Sequence, residues 1–478
     1  MQAAVSLLPS AVVLVAVLGF RASGLMAALA AAAAAALVWL SGLYGPIEVV
    51  VAERAALDAT VLTILVAAMI VPGILFVEAA SGRKSPEAIG ALVQAIQVSR
   101  PQTAILIATG IGVMVESLTG MGVSLLVTMP LLLGLYDKRA AIGIALVGMS
   151  LMPWGALSIS AHVGAKLSGV PIDNLQAWIA AVSGPVAFCL PALCLLFVGR
   201  PALADVAAAL AAGAVLWASA ALASHFVGVE VAGVAGGLGV IGLMVVLART
   251  RSGLGAALAA PGLVPYLVLL LAVLLQKLAI APLQRNGLSP VLDTGRVQFA
   301  ILTSPGVALL VATVLTGARE LGPSRFASVA RRSWRPVAAV ALFMLAARLL
   351  VECGAIAALA SALGGLGRDG ATVAVALLGA VGGFVTGSGV TGNALFMPSA
   401  AEAGRAFDVV PIFAALQNAS SGHVGMASLP VAAILLATLG RREPGDDALV
   451  IRTALALAAW HVAVATAAAL LLLRIAVP

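Results

Sequence analysis

The sequence predicts an all-α polytopic membrane protein: about 12 transmembrane helices plus two re-entrant or broken-helix hairpins, arranged as inverted-topology internal repeats. Three observations carry that expectation. Of 478 residues, 62% are hydrophobic and only 9% are charged, whereas a soluble domain carries roughly 25% charged residues. Such a chain cannot cover a soluble surface, which excludes a soluble enzyme, a nucleic-acid binder and a disordered protein. Apolar runs of bilayer length recur from one end to the other. Two of them are overlong and broken by glycine-rich polar cores that resemble each other. The 50 glycines fit the close packing of membrane helices.

Fourteen apolar segments follow in order. Segment 4–20 is a retained first helix, because no basic stretch precedes it and Arg21 follows it. Segments 23–44 and 57–79 read as simple spans, and 102–135 as the first hairpin. Then come 141–165, 175–198, 201–225 and 228–248; in the last, Gly236-Gly-Leu-Gly239 is a packing feature and not a dinucleotide site. Segments 262–283, 298–317 and 337–361 lead to the second hairpin, 371–404, and 409–440 and 452–474 close the chain. The polar stretches 80–100, 318–336 and 441–451 are loops. The whole chain, 1–478, is one transporter domain, with repeat 1 over 57–225, connecting helices over 228–317 and repeat 2 over 337–478.

The broken cores are Glu116-Ser-Leu-Thr-Gly-Met-Gly-Val-Ser124 and Thr386-Gly-Ser-Gly-Val-Thr-Gly-Asn393. Thr119 to Ser124 aligns with Thr386 to Thr391 at an offset of 267, and Gly155 falls near Gly425 at an offset of 270. A repeated pair of glycine-interrupted apolar segments is the best sequence pointer to a transporter's binding site. With both hairpins re-entrant and the N-terminus outside, 17 of the 26 Lys and Arg face the cytoplasm, among them Arg21, Lys138, Arg335 and Arg441. Seven face outward, and Lys277 and Arg348 lie within spans. That asymmetry follows the positive-inside rule and makes the repeats inverted. The net charge of +7 is therefore read as topology.

Irregular backbone at membrane depth must be covered by protein or border a wet cavity. Half-helix N-termini pointing into such a cavity suit an anion. Thr119, Ser124, Thr386, Ser388, Thr391 and Asn393 supply hydroxyl and amide partners there, and Gln417, Asn418, Ser420 and Ser421 form a second polar run. Glu116 sits mid-span, where desolvation favours a neutral carboxyl, and is the proton-coupling candidate together with His423. Arg348, four residues before Glu352, forms an intrahelical pair with it or acts as an anion partner. His162 and Trp154 are weaker candidates, and Lys277 snorkels outward. Cys189, Cys194 and Cys353 match no zinc or redox spacing. No catalytic residues, metal ligands or cofactor are expected.

At these motifs the sequence resembles the lactate permease family of bacterial secondary transporters. The resemblance rests on Gly112-Val-Met-Val-Glu116 with Thr119-Gly-Met-Gly122, on Gly383-Phe-Val-Thr-Gly-Ser388 with Asn393-Ala-Leu-Phe396, and on Asn418 ahead of Ser-Ser-Gly. A third stretch is Ser224-His-Phe-Val-Gly-Val-Glu230. The resemblance implies proton symport of small 2-hydroxy monocarboxylates, such as L-lactate or glycolate, across the bacterial cytoplasmic (inner) membrane. It also implies that Glu116, Ser388 and Asn393 are motif positions. Three positions depart from the family pattern: Gly389 replaces an acid, Met426 a lysine, and Pro430-Val431 a Pro-Gln. The substrate thus stays open among organic acids and the coupling ion between proton and sodium, and a passive channel is the lesser alternative. Expected partners are the organic anion, protons and the lipid bilayer, with no nucleic acid.

Overall fold

The structure is a computed structural model and describes residues 2–20, 22–120, 122–286, 288–440 and 442–476. Arg21 and Arg441 of the charge count, and Met121 of the first broken core, lie outside the described residues. Among the described residues ten helices are long and apolar enough to cross a membrane, or eleven if Lys138–Gly148 and Met152–Ser168, bent by 48°, make one span. This is fewer than the sequence suggested. Helices Gly24–Leu40 and Pro305–Gly317 are short, and segment 298–317 begins as Gln298–Ala300, the second strand of a small β-hairpin with Val291–Asp293.

One succession of elements occurs twice. A long helix (Val49–Gly82; Pro323–Glu352) is followed by a short one (Ser85–Ala95; Ala355–Gly364). Next comes a helical hairpin, Arg100–Thr119 with Val123–Leu135 in the first copy and Gly367–Thr386 with Gly389–Arg405 in the second. A broken helix follows: Lys138–Gly148 with Gly155–Ser168, and Val410–Gly425 with Leu429–Thr438. Ile172–Leu195 and Asp446–Ala476 close the two copies.

Packing follows the same exchange. The two long helices lie against each other; Gly24–Leu40 packs on the second, and Pro305–Gly317 on the first. Likewise Gly155–Ser168 packs on Gly389–Arg405, as Leu429–Thr438 does on Val123–Leu135.

Both hairpins turn back. Arg100 Nη2 donates to the Leu135 carbonyl at 2.9 Å, and the Tyr136 hydroxyl donates to the Arg100 carbonyl at 2.6 Å, so the first hairpin begins and ends together. At the second, Gly364 lies against Ala406. Near the ends of the first hairpin, Lys138 pairs with Glu443 at 2.9 Å and Asp446 at 3.2 Å. Near the ends of the second, Arg474 pairs with Asp369 at 3.0 Å.

Segment boundaries moved for identifiable reasons. The helix expected at 337–361 starts at Pro323 and stops at Glu352, where Gly354 adopts φ +87°. Pro336 lies inside this helix. Segments 141–165 and 409–440 each prove to be two helices around a short break.

Candidate functional site

The first hairpin breaks at Gly120 and Gly122, with φ +69° and +77°. Only glycine adopts these angles without strain. A Cβ on Gly120 would also sit 2.5 Å from the Ala156 Cβ, so the reversal packs directly on the start of Gly155–Ser168. There Ala156, Leu157 and Ser158 hold left-handed φ of 48° to 58°. Such angles cost roughly 1–2 kcal/mol per residue, and this local strain sits beside the cavity.

Glu116 caps the helix that follows the break. Its Oε1 accepts the Gly122 amide at 3.1 Å; its Oε2 accepts the Ser124 amide at 3.3 Å and the Ser124 hydroxyl at 2.8 Å. The carboxylate is 3% exposed and has no ion-pair partner among the described residues. One acid thus meets the orphan donors and partial positive charge of this helix N-terminus.

The second break lacks that arrangement. The residue 267 positions after Glu116 is Gly383, where a Cβ would fall 2.0 Å from the Ser421 carbonyl oxygen, so no side chain fits. The N-terminus of Gly389–Arg405 has no side-chain cap from Ser388. Thr386 turns inward, donating to the Gly382 carbonyl at 2.7 Å and accepting the Ser388 amide at 3.3 Å. Thr391 is 5% exposed, and its hydroxyl has no partner among the described residues.

A cavity of about 430 Å³ lies between the two breaks. Glu116, Thr119, Thr386, Ser388 and Thr391 line it, with Ser160 from the first broken helix. Ser124 stands behind Glu116 as its hydrogen-bond donor. Arg335, in the interior of helix Pro323–Glu352, also lines the cavity and has no ion-pair partner among the described residues. The sequence reading had assigned Arg335 to the polar stretch 318–336, which the structure shows as the first half of helix Pro323–Glu352.

The other expected residues lie off this cavity. Asn393 donates to the Ser160 carbonyl at 2.9 Å and to Asn418 Oδ1 at 2.8 Å. Gln417 donates to the Gly392 carbonyl at 3.3 Å, and the Ser421 hydroxyl lies against Gly392. Ser420 is fully buried beside Gly379. Asn393, Asn418 and Gln417 thus tie Gly389–Arg405 to its neighbours, while the Ser420 and Ser421 hydroxyls, Asn393 Oδ1, Asn418 Nδ2 and Gln417 Oε1 are buried without a hydrogen-bond partner among the described residues. His423 is fully buried between the Ser150 carbonyl at 2.6 Å and the Ser183 hydroxyl at 3.1 Å, and it stacks on His461.

Arg348 is a correction to the anion-partner reading. It pairs with Asp58 at 2.5 Å and Glu352 at 2.9 Å, in a cluster that Arg296 joins through Glu352 and Thr294 through Asp58. Both carboxylates meet its Nη2, and Arg348 is not among the residues that line the cavity. Lys277 does not snorkel; it pairs with Glu230 at 2.7 Å. Trp154 is fully buried packing. The departures at 389 and 426 fit their surroundings: a Cβ on Gly389 would press on the Ser160 Cβ at 3.1 Å, and Met426 is wholly buried.

A family model described as L-lactate permease matches residues 2–252 and 268–476, nearly the whole chain. No curated protein matches it.

Proposed function

The chain belongs to the L-lactate permease family, and from that premise we propose that it moves small 2-hydroxy monocarboxylates, such as L-lactate or glycolate, together with protons across the bacterial cytoplasmic membrane. Members of the family are multi-pass membrane transporters of lactate and not enzymes.

One observation carries it: of two matching helix N-termini at one cavity, the first is capped by Glu116 and the second is open. The open end of Gly389–Arg405 receives the substrate carboxylate, helped by the Thr391 hydroxyl and the Arg335 guanidinium. Ser388, Thr386 and Thr119 are the hydroxyls in reach of the 2-hydroxyl. Glu116 carries the proton: ionised it is held by the Gly122 and Ser124 donors, and neutral it loosens that grip. Asn393, Gln417, Asn418, Ser420, Ser421 and His423 hold the second hairpin in place. The repeated element order and the exchanged packing support inverted repeats, within which one unit moves against the other. The hairpin ends support this too: Lys138 pairs with Asp446 at the start of helix Asp446–Ala476, and Asp369 with Arg474 near its end.

The test is uptake of labelled L-lactate and glycolate into proteoliposomes, with and without an inward proton gradient. Accumulation driven by the gradient is expected. Uptake that follows sodium and stops when choline replaces it refutes proton coupling. No uptake of either acid by folded protein refutes the cargo.

A further inference from the structure

A second and larger cavity, about 1060 Å³, lies between the end of Gly155–Ser168, the end of Leu203–Phe226 and the β-hairpin. Its wall contains the stretch Ser224 to Glu230, which the transport cavity does not use. Glu230 is 6% exposed; its Oε2 lies 2.7 Å from the Lys277 ammonium, and its Oε1 lies 3.1 Å from His162 Nε2. Gly228 has φ +141°, and a Cβ there would fall 1.8 Å from Lys277 Nζ. Bare backbone is what seats this ammonium. Both contacts have ion-pair distances without hydrogen-bond geometry: Glu230 Oε2 and His162 Nε2 have no hydrogen-bond partner among the described residues. Lys166, one helical turn beyond His162, lines the same cavity and has no ion-pair partner among the described residues.

We propose that this vestibule is a second binding site for a small 2-hydroxy carboxylate, an inference that rests on hydroxy acids being the cargo. The carboxylate sits between the Lys166 and Lys277 ammoniums, and the 2-hydroxyl donates to the Glu230 carboxylate as Glu230 turns from its seat against Lys277. Two cations beside one carboxylate acceptor distinguish a hydroxy acid from a simple carboxylate, which would meet the lysines and make no bond to Glu230. The site also lies on the approach to the transport cavity. Ile159 and Ser160, which line that cavity, precede His162 on the same helix by about one turn.

The experiment is a thermal-shift titration of the purified full-length protein in detergent, with L-lactate and with propionate, which lacks the hydroxyl. It is run in a background of Arg335→Gln with Thr391→Val, which weakens lactate binding at the transport cavity. That background should keep a lactate-dependent stabilisation, about tenfold weaker in apparent affinity for propionate. Adding Lys277→Gln, or Lys166→Gln, should remove most of it. Lys166 makes no ion pair, so its substitution keeps the test decisive should Lys277→Gln misfold. Loss of the lactate response in the background alone overturns the second site while gradient-driven uptake by the unmodified protein still stands. A response unchanged by both lysine substitutions, or equal for propionate, overturns it as well.

Discussion

Replacing Glu116 with Gln separates two jobs, capping a helix and carrying a proton. The carboxylate accepts one bond from Gly122 and two from Ser124. Glutamine keeps one acceptor oxygen. With that oxygen left on Gly122, both Ser124 contacts are lost, and rotation of the Ser124 hydroxyl toward the new amide recovers one neutral bond. Hydrogen bonds to a charged group are worth about 1.5–3 kcal/mol, and neutral ones about 1 kcal/mol. The retained Gly122 bond is neutral as well, so the hairpin tip loses roughly 2.5–7 kcal/mol and the protein's melting temperature falls. Transport changes in kind. One-for-one symport of an anion and a proton is electroneutral, and one pH unit, about 1.36 kcal/mol, drives tenfold accumulation. Proteoliposomes bearing Glu116→Gln under that gradient should accumulate lactate to a ratio of about one, yet still exchange labelled for unlabelled lactate at reduced rate. Ser124→Ala, which deletes the 2.8 Å donor and leaves the acid, should lower stability and keep the tenfold ratio. Tenfold accumulation by Glu116→Gln would refute the role given to this residue.

Three further outcomes follow from the geometry. Arg335→Gln should raise the KM for lactate about tenfold with little change in kcat, and Arg335→Lys less, as expected of a charge-assisted contact at a partly solvated position; uptake kinetics at zero gradient measure both. Gly383→Ala forces a methyl to within 2.0 Å of the Ser421 carbonyl oxygen and should destabilise the protein by about 1–3 kcal/mol, read as a lower melting temperature in detergent. Arg348→Leu leaves Asp58 and Glu352 buried without their shared cation, a loss of about 3–5 kcal/mol; folded yield should drop while the KM of the surviving protein stays at the wild-type value.

Much of this was legible because membrane physics constrains composition so strongly. Glu116, Thr119, Thr386, Ser388 and Thr391 were readable as one site because glycine-rich breaks at membrane depth must border protein or water. Asn393 and Gln417 to Ser421 look identical in sequence to cavity-lining residues, since a polar side chain that locks two helices and one that meets a ligand share the same chemistry. Only tertiary contacts separate them. Arg348 was misread for a related reason: its intrahelical partner Glu352 was visible, but Asp58, 290 positions away, was not. Arg335 was missed because the polar stretch 318–336, with Arg325, Arg331 and Arg332, reads by composition as a loop although it is helical from Pro323.

The unequal capping of two related helix ends is also what makes proton and anion interdependent. A cavity of 430 Å³ is about 9 Å across if spherical. With Glu116 ionised on one wall and a substrate carboxylate at the open helix end on the other, like charges about 9 Å apart at an effective dielectric near 20 repel by about 2 kcal/mol. Protonating Glu116 removes that repulsion, so lactate should bind about twentyfold tighter to the protonated form. Reciprocity requires bound lactate to raise the proton affinity of Glu116 by the same factor. Lactate affinity measured by thermal shift across pH should therefore weaken about twentyfold as Glu116 ionises, and Glu116→Gln should hold the high-affinity value throughout. A pH dependence that survives unchanged in Glu116→Gln would place the coupling on another group, and the open helix end would then bind its anion without regard to the acid across the cavity.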